Sequence, residues 1–161
     1  MSFVFSADEV FSMAMQIEKS GFAYYKTVAD STNDNSLKEL FEYLAKEEQR
    51  HYAFFEKLDR QTGGLSVSDE EWEQISEYIK ATTETRFFIG EEKTISLSKK
   101  PTDVKDAIDI AIGFEKDTLL FFYELRQITP AGSQEAADKI IEEEKRHVMR
   151  LTEKRREFGV Q

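Results

Sequence analysis

Along four stretches of the chain, inward-facing positions recur at alternating steps of three and four. The first stretch runs Phe11, Ala14, Glu18, Gly21, Tyr25, Val28, and the second Leu37, Phe41, Leu44, Glu48, His51, Phe55, Leu58. The third is Val104, Ile108, Ala111, Glu115, Thr118, Phe122, Leu125, and the fourth Ala137, Ile140, Glu144, His147, Leu151. This spacing is the apolar stripe of an amphipathic helix. In every stripe a glutamate stands at a core position, where a carboxylate does not belong without a partner.

Local chemistry sets the predicted boundaries. The first helix spans about residues 7–29, with Ser6 as its N-cap and Glu9 completing a capping box. The second spans about 37–59, opened by Ser36 with Glu39 and closed by Gly63-Gly64. A shorter helix over about 69–81 has Ser68 and Glu71 as its box. The fourth begins after Pro101-Thr102 and lasts to about Ile128, where Pro130-Ala131-Gly132 breaks it. Ser133 opens the last, which ends near Phe158.

The connections at 30–35 and 129–132 are short, so each joins antiparallel neighbours. The stretch 60–101 is long enough to run the length of a bundle and return the chain to its other end. Residues 85–98 within it show no helical periodicity and receive no element. The halves also repeat: Ala14-Met15-Gln16-Ile17-Glu18-Lys19 matches Ala111-Ile112-Gly113-Phe114-Glu115-Lys116, and Glu47-Glu48-Gln49-Arg50-His51 matches Glu143-Glu144-Lys145-Arg146-His147. The pattern predicts an all-α fold of one domain over residues 1–161. Two helical hairpins, joined by a long crossover containing a short helix, form an antiparallel four-helix bundle with pseudo-twofold symmetry.

Composition agrees. Two prolines and seven glycines in 161 residues, with 34% charged residues, favour helices. Cysteine is absent, which excludes disulfides, cysteine zinc sites, iron–sulfur clusters and a thiol nucleophile in this sequence. A reducing cytoplasm fits, and the N-terminus lacks the basic start and apolar run of a secretory signal. No apolar run is long enough to span a membrane. The net charge of −10 argues against a nucleic-acid partner.

Only two histidines occur, His51 and His147, and each follows a glutamate by three positions. Residues three apart on a helix share a face, so Glu48 with His51, and Glu144 with His147, can reach the same or adjacent ions. Glu18 and Glu115 sit level with them across their hairpins. Four buried unpaired carboxylates would cost more than the roughly 5–15 kcal/mol stability of a domain. No lysine or arginine lies in the four stripes to neutralise them. Two divalent cations do, with two neutral imidazoles completing the set. Mixed carboxylate and imidazole donors suit iron or manganese; zinc, also possible, more often takes a smaller, histidine-richer site. Glu18 and Glu115 are expected as terminal ligands, and Glu48 and Glu144 as carboxylates bridging ions roughly 3.5–4 Å apart. His51 and His147 each cap one ion. Tyr25, one face along from Glu18, is the tyrosine best placed for redox chemistry; Tyr24, Tyr43, Tyr52 and Tyr123 read as core edges. Glu47, Glu142 and Glu143 read as solvated, one of them free to support a ligand histidine.

This ligand set is the one known from ferritin-like di-iron carboxylate bundles. On Glu18, Glu48, His51, Glu115, Glu144 and His147 the chain resembles a ferritin-like protein of the rubrerythrin family. The resemblance implies two iron ions and an oxidoreductase that reduces hydrogen peroxide, or dioxygen, in defence against oxidative stress. It also implies an external electron-transfer protein such as a rubredoxin, and a homodimer. The alternative it leaves is a ferroxidase that binds and stores iron. Two departures stand out. Rubrerythrins proper carry a four-cysteine rubredoxin site, for which this sequence has no cysteine. They also commonly place a glutamate one turn after the third-helix ligand, where this chain has Thr118. Bacterioferritin is similar too, but Gln49 stands where that family has its haem-binding methionine.

Overall fold

A computed structural model describes residues 9–63, 67–83, 87–89, 95–97 and 101–159. Five helices follow in order: α1 (Val10–Ser31), α2 (Asn35–Thr62), α3 (Asp69–Thr83), α4 (Val104–Ile128) and α5 (Gln134–Gly159). A two-stranded antiparallel ribbon, β1 (Phe87–Ile89) and β2 (Ile95–Leu97), lies in the crossover between α3 and α4, with Phe87 opposite Leu97 and Ile89 opposite Ile95. Helical periodicity is missing over 85–98 because part of that stretch is extended.

Side-chain caps explain the starts of three helices. Asp34, rather than Ser36, caps α2: its carboxylate accepts from the Leu37 N–H at 2.8 Å, and the Ser36 hydroxyl donates to the same oxygen. The helix therefore starts earlier than the sequence pattern suggests. At its other end Gly63 takes a left-handed conformation (φ 64°), and its N–H closes the last turn on the Asp59 carbonyl. The Ser68–Glu71 box is present in both directions, as expected. Asp103 caps α4 through the Asp106 N–H. Thr129 is extended before Pro130, which ends α4. A single 3₁₀ turn, Ala131–Ser133, then leads into α5. Ser6, expected to cap α1, lies outside the described residues, and Glu9 at the cap position makes no side-chain capping bond.

Helix α1 packs on α2 and α4 on α5, and the two hairpins meet where α1 faces α4 and α2 faces α5. The Tyr24 hydroxyl donates to the Ala107 carbonyl at 2.8 Å, and Lys154 reaches Ser36 at 3.2 Å. Those contacts put the end of α1, the start of α2, the start of α4 and the end of α5 at one end of the bundle. Every adjacent pair is thus antiparallel, and the pseudo-twofold relating the hairpins runs across the bundle rather than along it. The crossover straps this framework, with α3 against α4 and β2 against α1.

All four predicted stripes are buried apart from Val104, which is half-buried. The aromatic core falls in two layers. Tyr25 packs edge-on to Phe41 and Phe114, at ring distances of 5.6 and 6.1 Å. Phe55 and Phe122 pack at 5.0 Å towards the opposite end. The acidic residues and histidines lie between these layers, screened from water at both ends. Each large apolar side chain so buried contributes roughly 1.5–3 kcal/mol; that packing is what holds charged groups in an interior they would otherwise leave.

Candidate metal centre

All six predicted ligands converge. Glu18, Glu48, Glu115, Glu144 and His147 have no exposed surface, and His51 has 1%. They form two overlapping groups, Glu18 with Glu48, His51 and Glu144, and Glu115 with Glu48, Glu144 and His147; within each, the donor atoms lie no more than 4.8 Å apart. The two carboxylates common to both groups are Glu48 and Glu144, the pair expected to bridge.

The distances give each residue its place. His51 Nδ1 is 2.7 Å from Glu144 Oε1 and 3.6 Å from Glu18 Oε2. His147 Nδ1 is 2.8 Å from Glu144 Oε2, 3.4 Å from Glu115 Oε1 and 3.6 Å from Glu48 Oε1. Glu144 therefore turns one oxygen toward each imidazole. The two rings lie nearly parallel, 5.7 Å apart. Despite these distances, both Nδ1 atoms and both oxygens of Glu18, Glu48 and Glu144 lack a hydrogen-bond partner. Buried donor atoms that converge within 4.8 Å and are left unmatched by the fold are what a shared cation would satisfy, so the residues fit a metal pair.

Electrostatics carries the same message. Burial, and then the Glu144 charge, push the Glu18 carboxyl well above the ordinary range; burial and Glu18 do the same to Glu48. Burial and Glu144 lift Glu115 to about 7 against the lowering pull of His147. Burial disfavours a charged His51, but Glu144 outweighs it and raises the imidazole to about 9. Burial likewise works against a charged His147, yet Glu115 and Glu144 raise it to about 11. Glu144 alone moves the other way: burial raises its carboxyl, but the two histidines beside it hold it well below the usual carboxylate range. The cluster recruits positive charge wherever it can find it.

Two partners outside the six ligands orient the centre. The Tyr25 hydroxyl donates to Glu115, and burial followed by the Glu115 charge keeps that phenol well above its ordinary pKa, hence protonated. On the other side His51 Nε2 meets Glu143 Oε2 at 2.9 Å, and the same oxygen accepts from the Arg50 guanidinium at 2.9 Å. Glu143 is thus the carboxylate that supports a ligand histidine. Glu142 is exposed and paired with Lys145, as a solvated residue should be. The signal for Glu143 was present but weak: it precedes a ligand by one position on α5, which places it at the rim of the buried face.

Gly21 makes the closest approach. A Cβ built there would lie 2.5 Å from Glu48 Oε2 and 2.9 Å from the Phe114 ring. Glycine inside a helix costs up to about 1 kcal/mol; here it leaves the room that the Glu48 carboxylate occupies. A cleft of about 380 Å³ between α1 and α2 reaches Glu18 and Glu48 from the surface, past Lys19, Phe22, Gln49 and Tyr52. The sequence places none of those four at an entrance: Tyr52 reads there as a core edge, and Gln49 only as a departure from bacterioferritin.

With fold and ligands in place, the chain can be set beside known proteins. The Rubrerythrin family model matches residues 9–154. The chain belongs to the rubrerythrin family. Over 98% of its length it also superposes on 99% of a Thermotoga maritima crystal structure described as a candidate ferritin-like diiron-carboxylate protein, with a TM-score of 0.66 and 22% identity. That likeness bears on the fold. No curated protein matches the chain. Among the described residues no helix is long and apolar enough to cross a membrane.

Proposed function

We propose that the chain is a rubrerythrin-type di-iron oxidoreductase that reduces hydrogen peroxide to water. The observation that carries this reading is the pair of overlapping four-ligand groups sharing Glu48 and Glu144. Peroxide needs two electrons and two protons to give two waters, and an iron pair, when bound, supplies one electron from each ion. The protein contributes the rest. Glu18, Glu48, Glu115, Glu144, His51 and His147 would hold the ions in the buried interior, with Glu48 and Glu144 common to both donor groups. The α1–α2 cleft admits a small neutral oxidant to the Glu18 and Glu48 side. Tyr25, protonated and bonded to Glu115, places one proton beside the centre.

The electrons that restore the pair come from an electron-transfer donor of rubredoxin type, as membership of the rubrerythrin family suggests. The assembly is a homodimer, with a solution mass of twice 18.7 kDa. Exposed Leu120 and Tyr123 on one face of α4 supply apolar surface for it.

Iron oxidation is the second reading. Its support is a third grouping at the edge of the centre, Glu47, His51 and Glu143, which resembles a station for an incoming ferrous ion. Arg50 weighs against it, since its guanidinium bonds both carboxylates there.

The test is an anaerobic titration of the ferrous protein, followed by the absorption of ferric iron. Two irons oxidised per peroxide, with a dimeric mass, support the proposal. Silence toward peroxide, with turnover of ferrous iron by dioxygen in a large cage, would establish the second reading instead. Glu48→Ala should drop metal content from two ions to one; unchanged stoichiometry removes Glu48 as a bridge.

A further inference from the structure

Buried polar atoms without a partner cluster at the centre, and nearly all belong to the six ligands. Two do not. One is His147 Nε2, the outer nitrogen of a ligand ring. The other is Thr118 Oγ1. Thr118 is wholly buried, one turn along α4 from Glu115 and on the same inward stripe. Its hydroxyl does not bond back to the preceding turn, the usual way a helical threonine satisfies itself. A buried hydroxyl left unmatched costs about 1–3 kcal/mol, while valine would fill the same volume without that cost.

The repeat shows where this hydroxyl stands. The pseudo-twofold that carries Glu18 onto Glu115 carries Gly21 onto Thr118. Gly21 lies against the Glu48 carboxylate; in the repeat Thr118 answers to Gly21 as Glu144 answers to Glu48. One half of the duplicated site has an open backbone there and the other a neutral donor. A hydroxyl is a poor ligand for a divalent cation already offered four carboxylates, but it is a good hydrogen-bond donor to an anionic or lone-pair-rich guest.

Resting on the di-metal reading above, we infer that Thr118 is a positioning residue whose hydroxyl donates a hydrogen bond to the small exogenous ligand held at the metal pair, and so sets the affinity of the centre for peroxide-like guests. A glutamate at this position would itself compete for the metals. Threonine brings no charge there and keeps an unmatched hydroxyl to donate.

Azide serves as the probe, titrated into ferric protein and read by its charge-transfer absorption, in the parent, Thr118→Val and Thr118→Ser. Both variants should hold two irons. Azide affinity should fall about tenfold in Thr118→Val and return to within about twofold of the parent in Thr118→Ser. Metal-free Thr118→Val should melt at or above the parent temperature, since its hydroxyl has no partner in the fold. The inference fails if azide binds Thr118→Val as tightly as the parent with two irons present. It fails also if Thr118→Val loses an iron, which would make the hydroxyl a ligand, or melts lower when metal-free, which would give it a structural partner. A parent protein that binds no iron pair refutes the di-metal reading itself, and this inference with it.

Discussion

Glu143 on α5 reaches the outer nitrogen of His51 on α2, 2.9 Å away, and so fixes that ring with its Nδ1 turned inward toward Glu18 and Glu144. A carboxylate behind a ligand imidazole sets its tautomer and raises its basicity. Glu143→Ala should weaken the ion at the His51 side about 10- to 100-fold, leaving the His147 side near its parent value. Competition with a chelator in cobalt-loaded protein resolves the two sites. Equal weakening of both would show that Glu143 acts on the fold rather than on His51.

Gly21 predicts a substitution whose effect runs against helix propensity. Alanine at an exposed helical glycine gains up to about 1 kcal/mol. At Gly21 the added methyl meets Glu48 Oε2 at 2.5 Å and Phe114 at 2.9 Å, and overpacking costs about 1–3 kcal/mol. Gly21→Ala should therefore lower the thermal midpoint and displace Glu48 from its bridging place, reducing tightly bound metal from two ions toward one. A variant with a raised midpoint and full metal content would show that Glu48 can move aside freely.

Tyr25 tests the opposite half of the centre. Its hydroxyl is the donor to Glu115, and a hydrogen bond to a charged group contributes about 1.5–3 kcal/mol. Tyr25→Phe should weaken the ion at the His147 side by about tenfold or more and slow peroxide consumption at saturating iron. Parent rates with normal metal content would remove Tyr25 from the chemistry.

Stability without metal should fall as pH rises. Glu18, Glu48, Glu115, His51 and His147 all hold protons more tightly in the fold than in an unfolded chain, Glu115 to about 7 and His51 to about 9. Between pH ~4.5 and ~9 the folded state thus carries more protons than the unfolded one, and unfolding becomes easier with each pH step. Glu144 has the opposite sign, but its contribution is lost only in acid, below this window. In chelator, the thermal midpoint should drop by at least ~5 °C from pH 5 to pH 9. Bound metal replaces those protons, so the loaded protein should show a flat or rising profile. A metal-free midpoint that climbs with pH would contradict the charge arrangement described for the cluster.

The sequence by itself determined the helices, the hairpin pairing and the six acidic and imidazole side chains that converge in the core. Each of these is written in local, periodic terms: steps of three and four place Glu48 with His51 and Glu144 with His147 on one face, and the duplication repeats the arrangement. Caps were legible where a single residue decides them, as at Ser68, and misread where two candidates compete, as with Asp34 and Ser36. Only the tertiary structure decided how the halves differ. The repeat alone does not reveal that Glu143 serves His51 while His147 Nε2 finds no partner, or that Glu48 fills the space beside Gly21 while its counterpart is a buried Thr118 hydroxyl. Those distinctions depend on which side chains from different helices arrive at the same few ångströms, and periodicity along one helix carries no information about distances between helices.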